Sequence, residues 1–179
     1  MNLYIVRHGQ TDYNVKHIIQ GVTNTNLNDT GIMQANNLKK EIDKLDIDLI
    51  ICSPLQRTKQ TANIITDGRD IETIYDNRII ERCAGKLEGK SDKYYDHIKV
   101  WDYKLNTDLN QDIERVQDLF KRAKLFLDDI KQKYPNKNIL IVTHEATIRA
   151  IHYNIIGYNK NTDLKEIKID NCCLLKYKI

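Results

Sequence analysis

The chain has 179 residues, 41% of them hydrophobic and 30% charged, with a formal net charge of +3. Such a length suits one domain with a real core, and the composition is that of an ordinary soluble protein. The charge is too weak and too evenly mixed to mark a nucleic-acid or anionic-membrane binder, and no apolar run approaches the roughly 20 residues of a membrane span.

Residues 2–6 read as a first strand that stops at Arg7-His8-Gly9. If so, the strand delivers a cation and an imidazole to its C-terminal end, the edge where open α/β sheets bind ligands. Residues 7–28 form a long connection, and long connections inside a domain are usually functional. A helix follows from Asp29 or Thr30, with Ile32, Ala35, Leu38 and Ile42 at helical spacing. Residues 49–52 are a short apolar strand. Ser53-Pro54 then reads as a helix cap followed by Pro at the first helical position, with Arg57 in the next turn.

Residues 71–75 are a third strand candidate. The stretch 78–89 is loop-like and presents Glu81. Residues 91–110 carry Tyr94, Tyr95, Trp101 and Tyr103 among lysines and aspartates, as a small cap over a site would. The clearest helix is 112–133, with Ile113, Val116, Leu119, Phe120, Ala123, Leu127 and Ile130 in one stripe. A buried-type strand at 138–143 ends at His144, and another helix runs to Gly157. Residues 165–170 and 172–178 read as closing strands. The alternation predicts a three-layer α/β/α sandwich with a mostly parallel sheet, as a single domain over 1–179.

The four cysteines, Cys52, Cys83, Cys172 and Cys173, contain no C-x-x-C pair, and Cys172 and Cys173 would face opposite sides of a strand. Neither a metal site nor a disulfide framework is expected. The N-terminus lacks the basic-then-apolar pattern of a signal peptide, so a cytoplasmic protein with free thiols is expected.

Three strand ends thus carry polar groups: Arg7 with His8, Arg57, and His144. Taken singly, each has a structural explanation, as a hydrogen-bonded imidazole or a surface ion pair. Together they make a pocket for a dianion, and phosphate is the natural match. A neutral imidazole can then serve as nucleophile near pH 7.

These residues sit in blocks that resemble the histidine phosphatase superfamily, the phosphoglycerate mutase-like branch. The blocks are Val6-Arg7-His8-Gly9-Gln10-Thr11-x-x-Asn14, Gln20-Gly21, Leu27-Asn28-x-x-Gly31-x-x-Gln34-Ala35, Ser53-Pro54-Leu55-x-Arg57-Thr58-x-Gln60-Thr61-Ala62, Glu81-Arg82-x-x-Gly85-x-Leu87-x-Gly89, and Val142-Thr143-His144 with Ile148-Arg149. The resemblance implies a histidine acid-type phosphatase, a phosphoric monoester hydrolase acting on a small phosphorylated metabolite. It implies that His8 becomes phosphohistidine, that Arg7, Arg57 and His144 hold the phosphoryl oxygens, and that Glu81 handles the proton. Asn14, Gln20 and Gly21 would line the pocket. No cofactor or metal is implied, because the arginines supply the positive charge.

Glu88 is a rival acid, placed at a variable position of the pattern. Glu145 stands where the family usually has Gly. Either it faces outward and caps the helix, or it assists proton transfer or selects a cationic substrate group. The Gly-Glu-Ser frequent before the long helix is replaced by Asn106-Thr107-Asp108, where Asp108 can still cap. Mutases resemble the chain but carry a longer insertion after the Glu81 block. They also have a tyrosine and a lysine where Ala84 and Asp92 stand here, and this favours hydrolysis. A cysteine phosphatase is disfavoured, since Cys52 and Arg57 have C-x4-R spacing instead of C-x5-R. A phosphoglycerate mutase-type phosphoryl transferase and a non-catalytic phospho-ligand-binding protein are the alternatives kept. Substrate and oligomeric state are left open, with no nucleic acid or membrane partner expected.

Overall fold

The computed structural model describes residues 1–94, 101–104 and 112–179. Five strands form one sheet: β1 (Asn2–Arg7), β2 (Leu49–Cys52), β3 (Thr73–Tyr75), β4 (Asn138–Thr143) and β5 (Leu174–Lys178). Their order is β3-β2-β4-β1-β5. The first four are mutually parallel, and β5 runs antiparallel along β1. The helices are α1 (Asp12–Val15), α2 (Asp29–Ile42), α3 (Gln56–Ile65), α4 (Val116–Lys133) and α5 (Glu145–Ile156).

The strand period of two sorts the side chains onto two faces. Leu3, Ile5, Leu49, Ile51, Ile139 and Ile141 pack with the buried faces of α4 and α5. Val6, Ile50, Cys52, Leu140 and Val142 pack with Ala35, Leu38 and Ile42 of α2 and Ala62 and Ile65 of α3. This is the expected three-layer sandwich. Because β2 and β4 are covered on both faces, they read as unbroken apolar runs. The stripe of α4 is buried from Val116 to Ile130 and includes Phe126 as well. Each large apolar side chain contributes about 1.5–3 kcal/mol by leaving water.

Four boundaries differ from the sequence reading, and each has a local cause. The third helix begins at Gln56 after an N-cap at Leu55, so Ser53 is not its cap. The Ser53 N–H donates to Val142 O and its hydroxyl is bonded to His144. The long helix begins at Val116 because Asp112 has φ +56°, a left-handed conformation that no helix accommodates. Residues 165–170 form no strand. The carbonyls of Leu164, Ile167 and Ile169 accept arginine N–H groups instead of joining a ladder. The last strand starts at Leu174, because Cys172 has φ +54° and precedes it. The reading of Cys172 and Cys173 on opposite faces of a strand is therefore corrected; all four cysteines are free thiols. Asn106, Thr107, Asp108, Tyr95 and His97 lie outside the described residues.

Two glycines are required by close packing. A Cβ on Gly9 would sit 2.6 Å from the Gly31 carbonyl oxygen, and one on Gly31 2.1 Å from that of Gln10. The loop leaving β1 thus presses backbone to backbone on the first turn of α2, which fixes His8 from one side.

Candidate active site

Register brings three strand ends together. Arg7 pairs with Thr143 and Cys52 with Val142, so His8, Ser53 and His144 emerge side by side. The rings of His8 and His144 lie 5.2 Å apart. Beside them opens a cavity of about 230 Å³, lined among others by Arg7, His8, Asn14, Gln20, Gly21, Arg57, Glu81 and Glu145. His144 is fully buried and does not itself line it.

His8 Nδ1 is 2.7 Å from Gly9 O. A carbonyl only accepts, so Nδ1 carries the hydrogen and Nε2 keeps its lone pair. Burial, then Arg57 and Arg7, hold the proton affinity of His8 well below the usual imidazole range. An imidazole that is neutral at pH 7 with an unshared Nε2 lone pair follows from these facts. Burial and Arg57 lower His144 in the same way. Its Nε2 lies 2.7 Å from the Ser53 hydroxyl.

Arg57 is completely buried. It donates from Nη1 to Thr23 O and from Nη2 to Gly21 O, both at 2.8 Å. Burial lowers it to about 10, against the opposing effect of Glu81 and Glu88, and it stays charged near neutrality. Arg7 donates from Nη1 to Ile169 O at 2.6 Å and pairs there with Glu145 at 2.9 Å. Arg7 Nε, Arg57 Nε, His144 Nδ1 and Arg149 Nε are buried with no partner among the described residues. A buried N–H left unpaired costs about 1–3 kcal/mol, a cost that an anion bound within reach of the Arg7 and Arg57 Nε groups removes.

Glu81 accepts from the Arg82 N–H at 2.9 Å and lies 3.5 Å from the Ala146 N–H. Burial raises its proton affinity, against the Arg82 N–H bond and the two pocket arginines. A carboxyl raised in this way can be a proton donor closer to neutrality than an ordinary one. The Arg82 Nε donates to Glu114 O and the guanidinium lies over Trp101.

Asn14 closes a capping box with Thr11 at the start of α1, using its Oδ1. Gln20 Oε1 accepts from the Thr11 and Thr25 hydroxyls. Gly21 has φ +50°, and a Cβ there would stand 2.1 Å from Glu88 Oε1. The rival acid Glu88 is thereby placed. Its carboxylate accepts from the N–H groups of Val22, Thr23 and Ala84 and from the Thr23 hydroxyl. It organises the loop whose carbonyls grip Arg57.

Glu145 does not face outward, as its capping reading had it. It lines the cavity and is paired with both Arg7 and Arg149. Of the cap aromatics, Trp101 lines the cavity mouth with the Arg82 and Arg149 guanidiniums over its ring. Tyr103 packs on Phe120 and Tyr158. Tyr94 is 64% exposed. His17 is exposed and pairs with Asp92, which lines the mouth; His152 is bonded to the Tyr177 hydroxyl. Cys52 is a core thiol that burial pushes up to about 12, which leaves it no nucleophilic role. Sequence reasoning missed Ser53 as the partner of His144, since its place after a strand and before Pro54 reads equally as a cap. It also gave Arg149 no part.

An α/β sheet whose strand ends bring together a neutral histidine, two arginines and a carboxyl of raised proton affinity has the parts a phosphoryl-transfer enzyme needs. Residues 3–179 match the family model of the histidine phosphatase superfamily (branch 1), and the chain belongs to that superfamily. The uncharacterized phosphatase PhoE of Bacillus subtilis is 33% identical over 175 residues, 95% of this chain and 84% of that one. Phosphoserine phosphatase 1 of Hydrogenobacter thermophilus is 28% identical over 162 residues, 88% of this chain and 77% of that one. The alpha-ribazole phosphatase of Shigella flexneri has a TM-score of 0.87 at 25% identity, covering 100% of this chain and 91% of that one. The chain is a phosphatase of this superfamily, which works through a phosphohistidine. Among the described residues no helix is long and apolar enough to cross a membrane.

Proposed function

We propose that residues 1–179 form one catalytic domain that hydrolyses a small phosphomonoester, with the segment at about 91–110 as its cap. The observation that carries this is the neutral His8, its Nε2 lone pair free, beside the unpartnered Nε groups of Arg7 and Arg57 at the same cavity. His8 Nε2 attacks phosphorus as the ester P–O bond breaks. Arg7, Arg57 and His144 take the charge of the equatorial oxygens. Glu81 gives its proton to the leaving alkoxide, then accepts one from the water that cleaves the P–N bond, which returns His8 and releases phosphate. Asn14, Gln20 and Gly21 shape the phosphoryl end, and Glu145 stands beside it.

The cavity favours hydrolysis over mutase chemistry. Ala84 and Asp92 both line it, so the basic group expected for a substrate carboxylate is replaced by an acid. Four free thiols fit a cytoplasmic setting. The acid-type assignment is part of this proposal, and the pH profile of kcat is its test.

The experiment is a panel of phosphomonoesters, including phosphoserine, a ribazole phosphate and 3-phosphoglycerate, run with wild type and His8→Ala. Wild type is expected to release phosphate and to yield an acid-labile phosphoenzyme that His8→Ala lacks. Absence of turnover across the panel would remove the phosphatase reading. Isomerised phosphoglycerate without phosphate release would replace it with the mutase.

A further inference from the structure

Glu145 is a carboxylate in a pocket otherwise suited to an anion, and its surroundings are specific. It opens α5, and its side chain is 41% exposed into the cavity. One carboxylate oxygen is 2.9 Å from Arg7 Nη1 and the other 3.2 Å from Arg149 Nη2. Arg149 is 6% exposed and anchored by donation to Leu164 O and Ile167 O. The same segment sends Ile169 O to Arg7 Nη1. Arg7 is therefore held at Nη1 by a carbonyl and a carboxylate, while its Nε is left buried and unpartnered. One corner of the guanidinium is spent on position and another is kept for an anion.

We propose that Glu145 is a positioning residue that fixes the Arg7 guanidinium and, by sharing its charge, weakens the pocket's hold on the phosphate product. This rests on the phosphatase reading above. A carboxylate beside a phosphate-binding arginine neutralises part of its field and repels a dianion. A bare arginine would grip substrate and product alike, and uniform tight binding does not raise turnover. Glu145 restores the balance, and Arg149 keeps its charge from standing unpaired.

A second consequence reaches the acid. Glu81 is faced by Arg7 from β1, Arg57 from α3, Glu145 from α5, the Arg82 and Ala146 N–H groups, and Arg122 from α4, which bonds its backbone carbonyl. Glu145 adds to the burial that raises the proton affinity of Glu81, whereas Arg57 and Arg7 lower it. Neutralising Glu145 leaves the arginines unopposed and draws the proton off Glu81 at lower pH.

The test compares wild type, Glu145→Gln and Glu145→Gly. Gln keeps an oxygen for Arg7 and loses the charge; Gly loses both. Orthophosphate affinity, measured by calorimetry, needs no turnover and stands apart from the panel that tests hydrolysis. Glu145→Gln is expected to bind orthophosphate about fivefold more tightly or better. It should also move the alkaline limb of kcat down by about 0.5 pH unit or more. Glu145→Gly is expected to lose about tenfold in kcat/KM relative to Glu145→Gln at the same pH. An unchanged phosphate affinity and an unmoved alkaline limb in Glu145→Gln would overturn the proposal. So would equal kcat/KM in the Gln and Gly variants.

Discussion

Two glutamates flank the same arginine, and exchanging each for glutamine separates architecture from chemistry. Glu88 accepts four hydrogen bonds: from Val22 and Ala84 at 3.0 and 3.1 Å on one oxygen, and from the Thr23 N–H and hydroxyl at 2.8 and 2.6 Å on the other. In Glu88→Gln, whichever way the amide turns, one oxygen becomes an NH2 that cannot accept. Two bonds are lost, and a donor then faces donors. Bonds to a charged acceptor contribute about 1.5–3 kcal/mol each. The site is partly open to water, so the net cost is about 2–4 kcal/mol. For a chain of this length that lowers Tm by roughly 4–16 °C.

The loop that loosens is the one whose Gly21 and Thr23 carbonyls hold Arg57, so KM rises for every phosphomonoester. Glu81→Gln removes the proton donor but no comparable scaffold. Its kcat should fall about 10²–10⁴-fold on alkyl phosphates, whose alkoxide must be protonated. On p-nitrophenyl phosphate, whose leaving group needs no proton, the loss should be far smaller. The assay is thermal unfolding together with kcat and KM on the two ester classes. If Glu88→Gln keeps its Tm and selectively loses alkyl esters, while Glu81→Gln does not, the roles assigned to the two acids are reversed and the reasoning fails.

Ser53→Ala removes the hydroxyl at 2.7 Å from His144 Nε2 and leaves a buried imidazole nitrogen unpaired. We expect about a tenfold loss in kcat/KM with a fall of a few degrees in Tm; native activity in this variant would show that the contact does not orient His144. Stability should also depend on pH through the two buried histidines, whose proton affinities are depressed in the fold. Their contribution is present in full above about pH 6.5, where the unfolded imidazoles are also neutral. It is lost as pH falls from there through the folded values, because the unfolded chain takes up the protons first. Chemical denaturation from pH 8 to 5 should show a steeper decline in wild type than in His8→Ala, by up to about 1.4 kcal/mol per pH unit. Parallel curves would refute it.

The sequence by itself determined the layers and the chemistry. Period-two and period-3.6 apolar patterns are local, and they placed β2, β4 and the stripe of α4 because those elements are buried by their own residues. Arg7, His8, Arg57 and His144 were legible as candidates because polar groups after apolar strands have no packing reason to be there, whereas Glu81 was singled out by the family resemblance. What tertiary structure decided was where backbone and side-chain polar groups find their partners. Residues 165–170 have the composition of a strand, yet their carbonyls go to Arg7 and Arg149. Ser53 has the sequence of a cap, yet its hydroxyl goes to a histidine ninety-one residues away. Glu88 looks like an acid in waiting until four donors are found around it, and Glu145 looks like an outward cap until Arg7 and Arg149 are found at its two oxygens. Burial pattern is a property of one segment, whereas the satisfaction of a polar group depends on segments far apart in the chain, and only the fold brings them within hydrogen-bonding distance.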